Sequence, residues 1–332
     1  MYPRRERTQK KKTSRPPIGR GFRLMRAWAR LLLVACAALL LAAGCGAPSQ
    51  VSARSQDDRI DIAYTGWPED AAIAGLTQAL LEDLGYRVEL HRVSGQRRAI
   101  DGVASGRYDV FHDVWVPVHE ELLSRAGEGR DNPLDGRLDE VDLLNSWLVG
   151  VTRSGLAAPS YMEINRVGEI EGSGAERALV LAPGASALGP PPRRALSRWG
   201  LEVEEYGSAA AMLEEVDRLY RRREPFVFLA WAPHWMNREY EFSYLEDPEY
   251  ALGSLTLPAE IRIITRRGME ERQPLAYALI DTIVLTQSQV EDVQLAIRRA
   301  GSPEAGARRW LAANQDLRSA WLRNAGMQAA GS

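Results

Sequence analysis

Three tryptophans in this chain stand where side chains could do chemistry. Trp67, Trp115 and Trp231 each lie just past the C-terminal end of an apolar run that reads as a β-strand, Ile60–Tyr64, Tyr108–Phe111 and Phe226–Ala230. In open α/β sheets, small ligands bind outside the carboxyl ends of the strands. An indole ring carries negative charge density on its face, and a set of such faces can enclose a cation with ~2 kcal/mol or more of attraction once water is excluded. A methylated ammonium has no N–H to donate, so aromatic faces suit it better than a hydrogen-bonding pocket does. Taken singly, each of these tryptophans reads more readily as packing than as a ligand contact. The equivalent placement of all three, spread over both halves of the chain, points to a cation site.

Other chemistries find little support. The four histidines, His91, His112, His119 and His234, include no His-Glu-x-x-His pair, and neither a Gly-x-Ser-x-Gly elbow nor a phosphate-binding glycine loop is present. His112 and His119 with Asp113 form the nearest approach to a metal set, but their spacing fits no ligand pattern. The two cysteines, Cys36 and Cys45, both fall in the apolar segment near the N-terminus, so the rest of the chain has no thiol for a disulfide, a metal or a nucleophile. Binding without catalysis, metal or cofactor is therefore expected.

The elements that must position the tryptophans follow from periodicity. After strand 60–64, Pro68 opens a helix with apolar residues at Ile73, Leu76, Leu80 and Leu84, stopped by Gly85. Tyr86, Val88 and Leu90 alternate on a second strand, and a short helix over 97–105 precedes strand 108–111. A second unit of the same kind begins near Val151, with strand 178–181, a helix over 192–199, a stronger helix capped by Ser208 and carrying Met212, Leu213, Val216 and Leu219, and the near-continuous apolar strand 226–230. From Glu260 onward the pattern supplies one strand and then helices. This is an α/β chain of two lobes, each a mostly parallel sheet flanked by helices, with a cleft between them. The expected boundaries are 59–150 plus 253–332 for lobe I and 151–252 for lobe II.

The N-terminal segment reads as an export signal. Residues 1–30 hold eleven Lys and Arg against one acid, Glu6, which leaves −12 for the remainder of a chain whose net charge is −2. An acidic body argues against nucleic acid as a partner. Leu31–Ala43 is an apolar run of signal-peptide length, short of the ~20 residues that span a bilayer. It ends in Leu41-Ala42-Ala43-Gly44-Cys45, which resembles a bacterial lipobox with Ala42 where the motif prefers Leu. Residues 1–44 are thus expected to be a leader and 45–58 a linker anchored through lipid on Cys45.

Tyr64-Thr-Gly-Trp67-Pro-Glu-Asp70, Asp109-Val-Phe-His-Asp-Val-Trp115-Val-Pro117, Ala211-Met212-Leu213, Trp231-Ala-Pro-His-Trp-Met236 and Leu245-Glu-Asp-Pro248, in this order, resemble the substrate-binding proteins of glycine betaine/proline betaine ABC importers. The likeness runs from about Asp58 to Trp321. It implies a type II periplasmic-binding-protein fold that closes like a hinged clamp, an ABC importer's permease and ATPase subunits as partners, and a place for this protein at the outer face of the cytoplasmic membrane or in the periplasm. It also implies a cage of Trp67, Trp115 and Trp231 around a trimethylammonium. The family holds the ligand carboxylate with backbone amides of a Pro-Gly loop and with a histidine. Pro183-Gly184-Ala185-Ser186-Ala187-Leu188 matches the loop, so the N–H groups of Ser186 and Ala187 are implied as anion donors. The histidine falls one residue early, at His119, with Glu120 in the family's position; His119 either swings in or is a surface residue beginning a helix.

Trp147 reads as packing near the crossover, Arg262 stands where the family often has His, and Trp235, Trp310 and Trp321 read as packing or surface. Glu69 and Asp70 read as first-turn acids favoured by the helix dipole; a carboxylate in the pocket would instead favour a ligand lacking its own, such as choline. The expected protein is a monomer that binds a glycine betaine-like solute for an importer. Choline, carnitine or ectoine selectivity, or a sensor role, are the alternatives.

Overall fold

The strand–helix alternation builds two five-stranded sheets in a computed structural model that describes residues 58–119, 140–185 and 191–331. In chain order the elements are β1 (Arg59–Tyr64), α1 (Pro68–Asp83), β2 (Arg87–Arg92), α2 (Gln96–Ala104), β3 (Val110–Val116), β4 (Val141–Ser146), β5 (Arg153–Pro159) and β6 (Arg177–Leu181). Then come α3 (Arg193–Arg198), β7 (Glu202–Tyr206), α4 (Ala209–Arg222), β8 (Val227–Ala232), α5 (Met236–Glu239) and β9 (Phe242–Tyr244). The chain ends in β10 (Glu260–Arg266), α6 (Met269–Arg272), α7 (Pro274–Thr282), α8 (Gln287–Ala300), α9 (Pro303–Ala313) and α10 (Gln315–Gly331). Cys45, Ser186, Ala187 and Glu120 lie outside the described residues.

The first sheet has the order β2-β1-β3-β10-β4 and the second β7-β6-β8-β5-β9. In each, three neighbouring strands pair in parallel, and the fourth, β10 or β5, pairs antiparallel to both of its neighbours. Four of the five strands therefore point the same way. The two sheets repeat one plan, and each has its own apolar core. The chain passes between them twice, after β4 and after β9, and the two passages are tied together. The Thr152 N–H donates to the Ala259 carbonyl (2.8 Å), and the Ala259 N–H returns a bond to Thr152 Oγ1 (3.1 Å).

Local chemistry explains the helices that matter for the site. Pro68 occupies the first turn of α1, where a missing N–H costs nothing. Its next thirteen residues, Glu69–Leu81, are buried all round, because the first sheet covers one side and α8 and α9 cover the other. Thr286 and Gln289 form a reciprocal cap at the start of α8, and Gly301, at φ +83°, ends it. Gly306 of α9 sits so close to α8 that a Cβ there would lie 2.4 Å from Ile297 Cα. Replacing Gly306 with alanine is accordingly expected to cost about 1–3 kcal/mol through overpacking. That is a fall of several degrees in thermal midpoint; an unchanged midpoint would show that the two helices can part without loss.

Ser55–Ser332 forms one compact unit that holds both sheets and their cores. Among the described residues no helix is long and apolar enough to cross a membrane.

Candidate functional site

Trp67 and Trp231 meet across the two sheets. Trp67 leaves the end of β1 at the position that caps α1, its backbone extended and its carbonyl accepting the Ala71 N–H at 2.8 Å. Gly66 before it has φ +92°, and a Cβ there would lie 2.6 Å from Arg92 Nε, so only glycine makes this turn freely. Trp231 is the second-last residue of β8, paired with Ser154 of β5. It is 2% exposed, and its Nε1–H is buried without an acceptor among the described residues. The two rings stand edge to face, centroids 5.8 Å apart and planes at 81°, the geometry that aromatic quadrupoles prefer. His234 packs 4.7 Å from the Trp231 ring.

Trp115 is held differently. Both β3 and β8 run further than the apolar runs alone suggest, so Trp115 and Trp231 sit inside the last residues of their strands rather than beyond them. Trp115 pairs with Ile261 of β10, its indole N–H donates to Asp113 Oδ1 at 2.6 Å, and none of the ring contacts among the described residues joins it to Trp67 or Trp231. The backbone turns back on itself over the next four residues. The Trp115 N–H donates to His119 Nδ1 (3.0 Å), while the His119 N–H donates to the Trp115 carbonyl (2.6 Å).

His119 is therefore no surface residue. It is 1% exposed, and burial lowers its pKa to about 4. With Nδ1 accepting, the neutral ring carries its proton on Nε2, which is buried and has no partner among the described residues. His112 is fully buried against Thr77 Oγ1 (3.1 Å), its pKa lowered to about 3 by burial. These contacts place neither histidine in a metal cluster with Asp113. Among the described residues the group that could ligate a metal is Asp61, Glu89 and His91, and Arg59 bonds to both of its carboxylates.

Glu69 and Asp70 show more than the sequence reading held. They do lie in the first turn of α1 as read, but that turn is buried, leaving them 3% and 0% exposed. Asp70 Oδ2 accepts the N–H and the hydroxyl of Thr65 at 2.6 and 2.9 Å. Burial, and after it the charge of Asp113, push both carboxyl groups well above the ordinary range. Asp113 is fully buried and is raised by burial to about 6. Each of the three acids keeps one oxygen without a hydrogen bond among the described residues, Glu69 Oε2, Asp70 Oδ1 and Asp113 Oδ2. The segments that follow β1 and end β3 thus carry three buried, mutually interacting carboxyl groups within a few residues of Trp67 and Trp115. The burial of Glu69–Leu81 on every side of α1, which makes this possible, has its sequence signal in the small residues Ala71, Ala72, Ala74 and Gly75.

The remaining candidates are structural. Trp147 is buried in the first core and donates Nε1–H to the His112 carbonyl at 2.7 Å. Arg262 donates to the Leu144 carbonyl at 2.8 Å, tying β10 to β4. Trp235 is packing: its N–H donates to Gln294 Oε1 (2.6 Å), and the Arg298 guanidinium lies 3.6 Å from its ring centroid. Gln294 also donates to the Pro233 carbonyl at 3.4 Å, and Arg238 pairs with Asp292 at 3.0 Å. Helix α8 thus grips the segment that directly follows Trp231. Nothing in the sequence pointed to Gln294 or Arg298, since polar residues on an amphipathic helix ordinarily face water.

A family model described as the substrate binding domain of an ABC-type glycine betaine transport system matches residues 58–313. Over 123 residues the sequence is 29% identical to a glycine betaine/carnitine transport binding protein, GbuC, of Listeria monocytogenes serotype 1/2a (strain 10403S). That stretch covers 37% of this chain and 39% of the relative. Among solved structures, lactococcal OpuAC in its closed-liganded conformation with glycine betaine is similar with TM-score 0.64 and 24% identity, over 80% of this chain and 99% of that one. The glycine betaine, L-proline ABC transporter binding protein ProX of Borrelia burgdorferi gives TM-score 0.62 and 21% identity, over 79% and 96%. An ABC-transporter choline binding protein in complex with choline gives 0.60 and 20%, over 82% and 97%. At these identities the structural likeness is one of fold, the two-lobed type II periplasmic-binding-protein fold.

Proposed function

The chain belongs to the family of substrate-binding domains of ABC-type glycine betaine transport systems, and from that premise we propose that it captures a quaternary-ammonium solute between its lobes and delivers it to an ABC importer. The observation that carries this reading is the meeting of Trp67 and Trp231 at the carboxyl ends of strands from opposite sheets. Trp115 supplies the third face of the cage. Closure brings the faces onto the methyl groups and excludes water, which strengthens the cation–π attraction.

For a ligand with its own carboxylate, glycine betaine above all, the Nε2–H of His119 is the side-chain donor and the amides of Ser186 and Ala187 complete the contact. The buried His119 Nε2, lacking a partner among the described residues, supports that role. A second reading, a choline-selective site, rests on a different observation: the free oxygens of Glu69, Asp70 and Asp113 offer acceptors to a ligand hydroxyl. The experiment that decides is a tryptophan-fluorescence titration of residues 46–332 with glycine betaine, proline betaine, carnitine, choline and ectoine. Micromolar binding of one or more methylated cations is expected; binding of none of the five overturns the cage.

Lipid on Cys45 is proposed to hold the protein at the outer face of the cytoplasmic membrane. The Cys45→Ser variant is expected to move from the membrane fraction to the soluble fraction of the producing cells. Its retention in the membrane fraction argues against the anchor.

A further inference from the structure

A cavity opens at the end of the first sheet opposite the tryptophans. β1 and β3 run parallel, with Trp67 and Trp115 at their carboxyl ends. The residues that begin β1 and precede β3, together with the last residue of the reversed strand β10, surround a pocket of about 570 Å³. Four arginines, Arg59, Arg107, Arg266 and Arg272, and two acids, Asp61 and Asp109, line it. The sheet is about 20 Å long at ~3.3 Å per residue, so this pocket is remote from the tryptophans.

The guanidinium groups are unequally engaged. Arg59 bonds to Asp61 and Glu89 at 2.9 and 2.8 Å. Arg266 pairs with Asp109 through Nη2 at 3.0 Å, yet its Nε–H is buried with no acceptor among the described residues. Arg272 donates one N–H to the Arg267 carbonyl. Arg107 is exposed and makes no ion pair among the described residues. The wall thus carries two more positive than negative groups in a body whose charge is −12. Planar forks of this kind match the oxygens of a phosphate.

We propose that this pocket holds the phosphate of an anionic phospholipid headgroup. The inference rests on the lipid-anchored reading of Cys45, because that reading says which face meets the bilayer. Arg59 begins the folded body and stands fourteen residues after Cys45. A tether of that length reaches at most about 50 Å, and it enters the body at the pocket. An acidic body is repelled by an anionic surface, and a net-positive patch offsets that repulsion locally. The tryptophan ends of the strands then point away from the bilayer, toward arriving solute, and docking on the importer requires release of the headgroup.

The test uses unlipidated residues 46–332, which include the whole compact unit Ser55–Ser332, with vesicles of phosphatidylcholine alone or mixed with phosphatidylglycerol, at low salt. Co-sedimentation is expected to be about tenfold greater on the anionic vesicles and to be lost in Arg107→Ala combined with Arg272→Ala. Both side chains are exposed, so the thermal midpoint and glycine betaine affinity should not change. Arg222→Ala, which removes an exposed charge from the second lobe, should leave vesicle binding intact. Equal binding to both vesicle types, no binding, or equal loss in Arg222→Ala overturns the proposal. So does calorimetric binding of free glycerol phosphate without vesicle binding, which would mark a soluble phosphate as the ligand. Because the tested chain lacks lipid, failure here is distinct from failure of the anchor, which the Cys45→Ser fractionation reads.

Discussion

Replacing Trp67 or Trp231 with alanine is expected to weaken glycine betaine binding by about thirtyfold or more while leaving a cooperative unfolding transition. A desolvated indole face contributes ~2 kcal/mol or more to a bound cation, and that energy corresponds to a factor of about thirty. The two variants differ in what else they remove. Trp67 is only partly buried, at the start of α1, so its truncation costs little packing. Trp231 is 2% exposed within the second core, and its loss should also lower stability, by about 3–5 kcal/mol if the site does not collapse. Trp231→Phe separates the effects, since it keeps a ring and most of the packing. The affinity of that variant should lie between those of wild type and Trp231→Ala, with stability close to wild type. Trp115→Ala should also lose affinity, although it additionally strands Asp113 without its indole donor. Unchanged affinity in two of the three alanine variants sinks the cage, whatever their stabilities.

The pieces of the fold with local periodicity were readable from the sequence. The α1 helix began at Pro68 and stopped before Gly85 as read, and the alternation of Val88 and Leu90 marked β2. Strand ends were less readable, because pairing rather than composition sets them. Val114, Trp115 and Val116 continue β3 only because β10, some 150 residues later, pairs with them. The reversal of β10 and β5 within otherwise parallel sheets leaves no local signature either. The same limit governs the site. The three tryptophans stood out by type and placement. The burial of Glu69, Asp70 and His119 depends on what covers them, so a first-turn acid and a helix-starting histidine looked ordinary. Gln294 shows it most clearly: its side chain bridges two backbone groups of a segment some sixty positions earlier.

Affinity for the quaternary ammonium is expected to rise as pH increases from about 5 to 7, and Asp113→Asn is expected to flatten that rise. Burial raises the Asp113 carboxyl from 3.8 to about 6 and also raises Glu69 and Asp70, so this group of carboxyls holds protons at mildly acid pH. A cation in the cage favours the ionised carboxylates, and binding must then release protons. Affinity climbs by up to about tenfold per pH unit for each proton released. His119, with its pKa lowered to about 4, is neutral across this range and adds no slope. Asparagine at position 113 keeps an oxygen for the Trp115 indole and removes the one group raised to about 6, together with the charge that adds to burial in raising the two neighbouring acids. The unliganded protein should show the same groups with the opposite sign. Since the folded pKa of Asp113 exceeds its unfolded value, the native state holds more protons between about pH 4 and 6, and this group's contribution to stability declines as pH rises through that window. His112, His119 and His234, lowered to about 3, 4 and 3, work the other way: their contribution is complete above about pH 6.5 and is lost as pH falls toward their folded values. Calorimetry in two buffers of different ionisation enthalpy measures the proton release directly. A wild-type affinity independent of pH, or an Asp113→Asn variant with the full slope, would show that these carboxyl groups do not face the ligand's charge.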